Sequence, residues 1–479
     1  MKMTRVLAAF TLPPLLLLGA CAEGRPPITL DGATSDWAAG SSVVVEPEHL
    51  YVRFSPPGEP LTLQGGQQTT RLLVDADADA STGARMGELG VDLEVQVSPA
   101  NRDGGVGIGA AVWAHGSDGR RVSLSPAEAG FAFAPTYAAP VFEARLSREI
   151  SDEVRRRLGW NIRTIDSTQR VRVEVTRLDP EGRTVWTSGV MEGRAVPSAL
   201  APATGTLPEK APGAVRVVSH NVLHTSPETT PGAFVRMYRA LDPDVLLVQE
   251  WDGWDAARYE AWFNERLPID GRWRAVATTN ERAGVAVITR LPVREALTPS
   301  VMAEGARWPA RFVGAVIETE GGAMLVGSMH LKCCGHAGSE EDQRRMSEAA
   351  AIGAYVGEAM ENRAIELCVL AGDLNLVGSR PPLDVLRSGL DADGSDLEPA
   401  PARVIGDRAY HTWRDDRSLF TPGRLDWMVY SDSALVSERA FVVETEGLSA
   451  AELRRTGLRR DDSRVSDHMP VVADLRARE

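Results

Sequence analysis

Apolar and polar residues follow two different patterns along the chain. From about residue 28 to residue 197 the apolar residues come in short β-branched runs. These are "SSVVVEPEHLYVRFS", "TTRLLVDADAD", "GVDLEVQVS", "VGIGAAVWA" and "QRVRVEVTRLD", bounded by Gly, Pro and Asp. Such runs predict strands, and a series of them with few helices between predicts an all-β sandwich. "SREISDEVRRRLG" is the main helical exception. "VPSALAPATGTLPEKAPGA" then has the Pro, Ala, Gly and Thr content of a linker. From about Val215 the pattern changes. "VRVVSHNVL", "DVLLVQEW", "GVAVITR", "FVGAVIETE", "AMLVGSMHL", "IELCVLAGDLN", "RLDWMVYS" and "MPVVADL" predict strands. "PGAFVRMYRALDP", "DAARYEAWFNERLP" and "SEEDQRRMSEAAAIGAYVGEAME" predict helices. Several of these strands follow one another without a helix. The expectation is therefore a layered α/β arrangement with mixed sheets, not a purely parallel wound sheet. No repeat of fixed period is present. The length of 479 residues suits two or three domains. The divisions expected are 1–21, 27–197 (sandwich), 198–212 (linker) and 213–476 (α/β).

The first segment, "MKMTRVLAAFTLPPLLLLGAC", sets Lys2 and Arg5 before an apolar stretch too short for a lasting transmembrane helix, as a secretory signal does. Its end, Leu18-Gly19-Ala20-Cys21, resembles the bacterial lipoprotein processing box. That resemblance implies that Cys21 is lipidated and becomes the mature N-terminus. The protein would then be a lipid-anchored lipoprotein of the bacterial cell envelope. Ala22 in place of Asp implies the outer membrane, if the organism has one. With Cys21 set aside, Cys333, Cys334 and Cys368 remain, an odd number that does not indicate a disulfide framework. A bond from the adjacent pair to Cys368 is left open. The net charge of −14 disfavours nucleic acid as a partner unless arginines form a local patch. Lysine occurs only at 2, 210 and 332, so almost all positive charge is arginine.

The polar residues of the second half gather at the ends of its apolar strands. Asn221 follows "VRVVSH", Glu250 follows "VLLVQ", His330 follows "LVGSM", and Asp373 and Asn375 follow "CVLAG". Asp426 precedes "WMVY", and Asp467 and His468 precede "MPVVADL". A single Asp at a strand end is usually a turn residue. Eight residues limited to Asp, Asn, Glu and His point to one site, because strand ends converge in space. That inventory suits phosphoester hydrolysis. A hard divalent cation takes carboxylate oxygen, a carboxylate handles the attacking water, and further donors stabilise the charged transition state. Cys/His zinc spacing, a G-x-S-x-G elbow and a P-loop lysine motif are all absent.

"SHNVL", "VLLVQE", "SMHL", "LAGDLN", "RLDWMVYS" and "SDHMP" occur in the order found in the endonuclease/exonuclease/phosphatase (DNase I-like) superfamily, which residues 213–476 resemble. The resemblance implies a four-layer sandwich of two mixed sheets flanked by helices, acting as a metal-dependent phosphoesterase. It implies Mg²⁺, with Mn²⁺ as an alternative, held by Glu250, Asn221 and Asp467. Asp373 would activate water, Asn375 and His330 would hold phosphate oxygens, and His468 would contact the scissile phosphate, oriented by Asp426. Nuclease, phospholipase C or sphingomyelinase-like, and small-phosphoester substrates all stay open. So does the choice between phosphodiester and phosphomonoester. The alternative is an inactive surface lipoprotein recognising glycans or phosphorylated ligands, against which the intact set of eight argues. Rim candidates are Arg307, Arg311, Lys332, His336, Arg344, His411, Trp413 and Arg424.

"ITLDGATSDWA", "LLVDADADASTG" and "GVDLEV" resemble β-sandwich modules related to carbohydrate-binding family 9 and DOMON domains, which implies a glycan as a candidate partner. Asp75, Asp77 and Asp79 form a candidate Ca²⁺ loop. Ala80 and Met86, where an EF-hand needs Gly and Glu, exclude that motif.

Overall fold

The computed structural model of the chain describes residues 27–100, 106–116, 118–149, 170–194, 205–278 and 283–478. The N-terminal segment with Cys21, most of the "SREISDEVRRRLG" stretch and the first half of the linker lie outside the described residues. Among the described residues no helix is long and apolar enough to cross a membrane.

The N-terminal part is a β-sandwich. One sheet has the strand order Val43–Val45, His49–Phe54, Phe142–Ser147, Ala132–Ala134. The other runs Thr184–Arg194, Arg170–Leu178, Thr69–Asp75, Leu93–Val97, Ala110–His115, Arg121–Leu124. All pairings are antiparallel. Alternate residues such as Val52, Val74, Val95, Val112 and Val173 form the core between the sheets, as period-two patterning requires.

The C-terminal part has four layers. A seven-stranded sheet runs Arg274–Ala277, Val285–Thr289, Val245–Gln249, Val215–Asn221, Val471–Ala477, Leu435–Val442, Arg403–Val404. A six-stranded sheet runs Val293–Leu297, Arg311–Thr319, Gly322–His330, Leu367–Asp373, Asp426–Tyr430, Glu398–Pro399. Both are mixed, as expected. A parallel pair sits inside each: Val215–Asn221 with Val245–Gln249, and Gly322–His330 with Leu367–Asp373. The apolar runs are continuous because both faces of each sheet are buried. Val217, Val245 and Leu247 point between the sheets, while Val218, Leu246 and Val248 pack on the outer helices Pro231–Leu241 and Ala256–Arg266. On the other side, Ile352, Val356 and Met360 of the long helix Glu340–Glu361 cover Leu325, Met329 and Leu370. That helix starts at Ser339, whose side chain accepts from the Asp342 amide, and its first turn is acidic, which complements the helix dipole.

Candidate active site

The parallel pair of each sheet ends at the same rim of the four-layer half, and the polar residues stand there. Asn221 is in register with Gln249, His330 with Asp373, and Asp373 with Asp426. Beneath them Gln249 spans the two sheets, its Nε2 donating to Ser328 Oγ at 3.0 Å, and Ser328 donates on to the Val248 carbonyl at 2.9 Å. Glu250 leaves its strand in a left-handed conformation, φ +62°. For a residue of this type that stores backbone strain. The turn is held from behind by Trp251, fully buried among Trp254, Tyr259 and Trp262. Asn375 also has a positive φ, +49°, which Asn tolerates. At Gly372 a Cβ would lie 1.8 Å from the Met329 carbonyl, so only Gly lets the two central strands meet just before Asp373.

Asp373 is at the centre. Its Oδ2 accepts from Asn221 Nδ2 at 3.2 Å and Asn375 Nδ2 at 3.0 Å, and its Oδ1 accepts from the Asn375 amide at 2.9 Å. His330 Nε2 lies 3.5 Å from Asp373 Oδ2 and 3.5 Å from Glu250 Oε1. His468 Nε2 lies 3.7 Å from Asp373 Oδ2, and its Nδ1 is 2.8 Å from Asp426 Oδ2. The His468 backbone is fixed through Ser466, whose Oγ donates to the Asn221 carbonyl and accepts the His468 amide. Ser466 therefore serves the turn. Asp426 is steadied by Thr412, whose Oγ1 accepts the Leu425 and Asp426 amides at 3.0 and 2.8 Å.

Charge follows this geometry. Burial opposes a proton on His468, but Asp426 and Asp373 outweigh it and hold the ring up to about 10. Burial, aided by Asp426 and Glu250, pushes the Asp373 carboxyl up, against the opposing pull of His468. The 2.8 Å bond to Asp426 keeps the His468 ring protonated. Burial, then Arg311, His468 and His224, drive His330 down, so its ring is neutral.

Donor atoms of Glu250, His330 and Asp373 lie within 4.8 Å of one another, as do those of Asp373, Asp426 and His468. Among the described residues only histidines pair with the Glu250, Asp373 and Asp426 carboxylates. Buried oxygens Asp426 Oδ1 and Asp467 Oδ1 have no hydrogen-bond partner. Charged His468 answers Asp426 and faces Asp373, but among the described residues half-buried Glu250 pairs only with His224 and neutral His330. Such a corner fits a divalent ion, and Glu250 and Asp373, with Asn221 beside them, are the residues that would hold it.

Seven of the eight strand-end residues converge directly. Asp467 stands aside, its Oδ2 accepting from Trp413 Nε1 at 2.8 Å, and it belongs to neither group of metal-compatible donors. Trp413 thus has a polar task beyond packing. Arg311 is in register with His330, and its side chain has no hydrogen bond or ion pair among the described residues. Arg344 is engaged by Glu348 and the Trp308 carbonyl, Arg307 stacks on Trp308, and Arg424 lies 3.7 Å over the Trp427 ring. His336 bonds the Ala337 carbonyl. Lys332 points at Cys333, and His411 faces Glu444. Cys333, Cys334 and Cys368 are free, Cys368 being buried. His224, with Nε2 3.4 Å from Glu250 and Nδ1 3.3 Å from Asp252, went unnoticed in the sequence, as did Thr412. In the sandwich, Asp75 and Asp77 are joined by Asp92, while Asp79 turns to Ser81.

Among solved structures, the human Nocturnin catalytic domain with bound sulfate is similar at 19% identity, covering 56% of this chain and 97% of that one, TM-score 0.39. The 3′ phosphatase NExo from Neisseria bound to product DNA hairpin is similar at 19% identity, covering 54% and 98%, TM-score 0.38. An endonuclease/exonuclease/phosphatase family protein from Bacteroides thetaiotaomicron gives 17% identity, 55% and 97%, TM-score 0.38. No curated protein sequence matches the chain. The sequence model of the Endonuclease/Exonuclease/phosphatase family matches residues 218–468, from the strand before Asn221 to His468 and just over half of the chain, so the chain belongs to that family.

Proposed function

We propose that the protein is a metal-dependent phosphoester hydrolase whose centre is the rim formed by Asn221, Glu250, His330, Asp373, Asn375, Asp426 and His468. The observation that carries this reading is the corner of half-buried Glu250 and buried Asp373, which among the described residues pairs with no lysine or arginine and is set against the Asp426–His468 pair. Glu250 and Asp373, with Asn221 alongside, would hold Mg²⁺ or Mn²⁺, which would supply Lewis-acid charge for a phosphoryl oxygen. Asp373, pushed up by burial and its neighbouring carboxylates, takes a proton from the attacking water. His468, charged and fixed by Asp426, donates from Nε2 to the phosphoryl group. Asn375 and Asn221 hold Asp373 in place. Neutral His330 lies between Glu250 and Asp373, and Arg311 next to it attracts the anionic substrate to an otherwise acidic rim. We also propose export and lipidation at Cys21, supported by the Leu18-Gly19-Ala20-Cys21 box. Mass spectrometry of the mature N-terminus checks it, and an unmodified start at another residue refutes it.

The test of activity is hydrolysis of bis(p-nitrophenyl) phosphate and p-nitrophenyl phosphate by the full chain with Mg²⁺. It is then extended to DNA, RNA, sphingomyelin, phosphatidylinositol phosphates and nucleotides. Turnover above an Asp373→Ala control supports the reading, and the preferred member of the panel names the substrate. Turnover no higher than that control on any member sinks it.

A further inference from the structure

Hydrogen bonds from the N-terminal sandwich land on the loops that connect the catalytic strands. Buried Thr62 accepts from the Ala337 amide at 2.9 Å through Oγ1 and donates to the Gly378 carbonyl at 3.1 Å. Ala337 lies in the loop leaving His330, and Gly378 lies three residues past Asn375. One hydroxyl thus joins the loops behind two corners of the site. Gln64 Oε1 accepts from the Thr421 amide at 2.8 Å, and Thr136 Oγ1 accepts from the Arg424 amide at 2.9 Å. Both bonds hold the loop between Trp413 and Asp426. Gly423 lies against Thr136 so closely that a Cβ would come within 2.9 Å of its hydroxyl. The Gly423 carbonyl in turn takes the Thr412 and Trp413 amides at 2.9 Å each. Thr412 fixes Asp426, and Trp413 fixes Asp467.

We propose that the sandwich is a positioning element of the active site, with Thr62, Gln64 and Thr136 holding the His330, Asn375 and Asp426 loops in their working places. This rests on the phosphoesterase reading above. These three side chains come from the other half of the chain, yet each satisfies a backbone amide within a few residues of the site. A lost partner leaves such an amide unpaired or lets the loop shift, and small shifts of reacting groups are costly to catalysis. The α/β half has an internal tie of its own, since Asp342 accepts the Gly338 and Ser379 amides at 3.0 and 2.9 Å. The sandwich therefore adds to a loop system already joined once, and a graded loss of rate, not abolition, is the outcome of removing one contact.

The test uses the full chain with Thr62→Val, Thr136→Val and Gln64→Ala, and with Thr62→Ser and Thr136→Ser as conservative partners. Turnover of bis(p-nitrophenyl) phosphate and hydrogen exchange of segments 333–338 and 419–424 are measured on each. The expected result is a fall in kcat of about tenfold for the Val variants with KM little changed. Their exchange in the contacted segment should accelerate, and the Ser variants should recover both. Gln64→Ala supplies an independent second site should a Val variant fold poorly. Faster exchange with wild-type kcat overturns the proposal, because the contacts would then be structural only. If the wild type does not exceed Asp373→Ala, the phosphoesterase reading has failed separately. Unchanged exchange in the variants overturns the clamp itself whatever the activity.

Discussion

Two acidic corners of this molecule hold similar ingredients and are neutralised in different ways. In the sandwich, Asp75, Asp77 and Asp92 bring donor atoms within 4.8 Å. Arg172 reaches the fully buried Asp75 through both Nε and Nη2, and the Gly90 amide donates to the same oxygen. Burial pushes the neighbouring Asp92 carboxyl up to about 6. In the α/β half, Asp373 belongs to two such groups, one with Glu250 and His330 and one with Asp426 and His468, and the partners are histidines, His330 being driven neutral. A third group, Asp407 with His411 and Glu444, behaves like the sandwich corner. Arg145 grips Asp407 at 2.6 and 2.7 Å, and Arg414 binds Glu444. Proximity of carboxylates is therefore common to all of them. Among the described residues, the absence of a paired arginine is what sets the Glu250–Asp373 corner apart and leaves room in its charge balance for a cation.

Substitutions separate the corners. The largest effect is expected at Asp373: Asp373→Asn should lower kcat by about a thousandfold or more, the scale of a lost general base. Steady-state kinetics at saturating metal check this. Asp426→Asn should cost about a hundredfold and change the pH profile. The wild-type His468 ring stays charged up to about 10, so activity should fall only as pH rises through that region. Without Asp426 the folded pKa drops, and the alkaline loss should begin at lower pH. An unmoved alkaline limb would mean that His468 is not the group titrating there. Arg311→Ala should raise KM by about tenfold with little change in kcat, as removal of an attracting charge does. An unchanged KM at low ionic strength would remove Arg311 from substrate capture. Asp75→Asn should leave hydrolysis within about twofold, since the site is distant. It should still destabilise the sandwich by about 2 kcal/mol, below the full penalty for breaking a buried pair because Arg172 is partly exposed. Urea unfolding measures it.

Much of the site was legible because its residues close apolar strands. A run such as "CVLAGD" carries no polar side chain until its last residue, which stands at the strand end on the rim. The same reasoning located Glu250, His330 and Asp426. It failed for His224, which sits in a left-handed turn after Asn221 with no strand pattern to place it, and for Thr412, whose role lies in a side chain accepting backbone amides. The resemblance of "SDHMP" to the family motif implies Asp467 as a metal ligand. The chain bends at Asp467, and its carboxylate accepts from the Trp413 indole. Asp92 was missed because it meets Asp75 only through sheet pairing. Strands Val293–Leu297 and Leu435–Val442 were also missed. Polar residues interrupt both runs, Arg294 and Glu295 in one and Ser437, Glu438 and Arg439 in the other, and include helix formers, and sheet pairing overrides that local preference.

The most direct measurement is a titration of metal-free full chain with Mn²⁺, read by electron paramagnetic resonance and by hydrolysis of bis(p-nitrophenyl) phosphate in the same samples. The account predicts that binding and activity rise together, that both are lost in Glu250→Gln, and that both persist in Asp75→Asn. Binding that survives Glu250→Gln and disappears in Asp75→Asn, or hydrolysis indifferent to the metal, would contradict it.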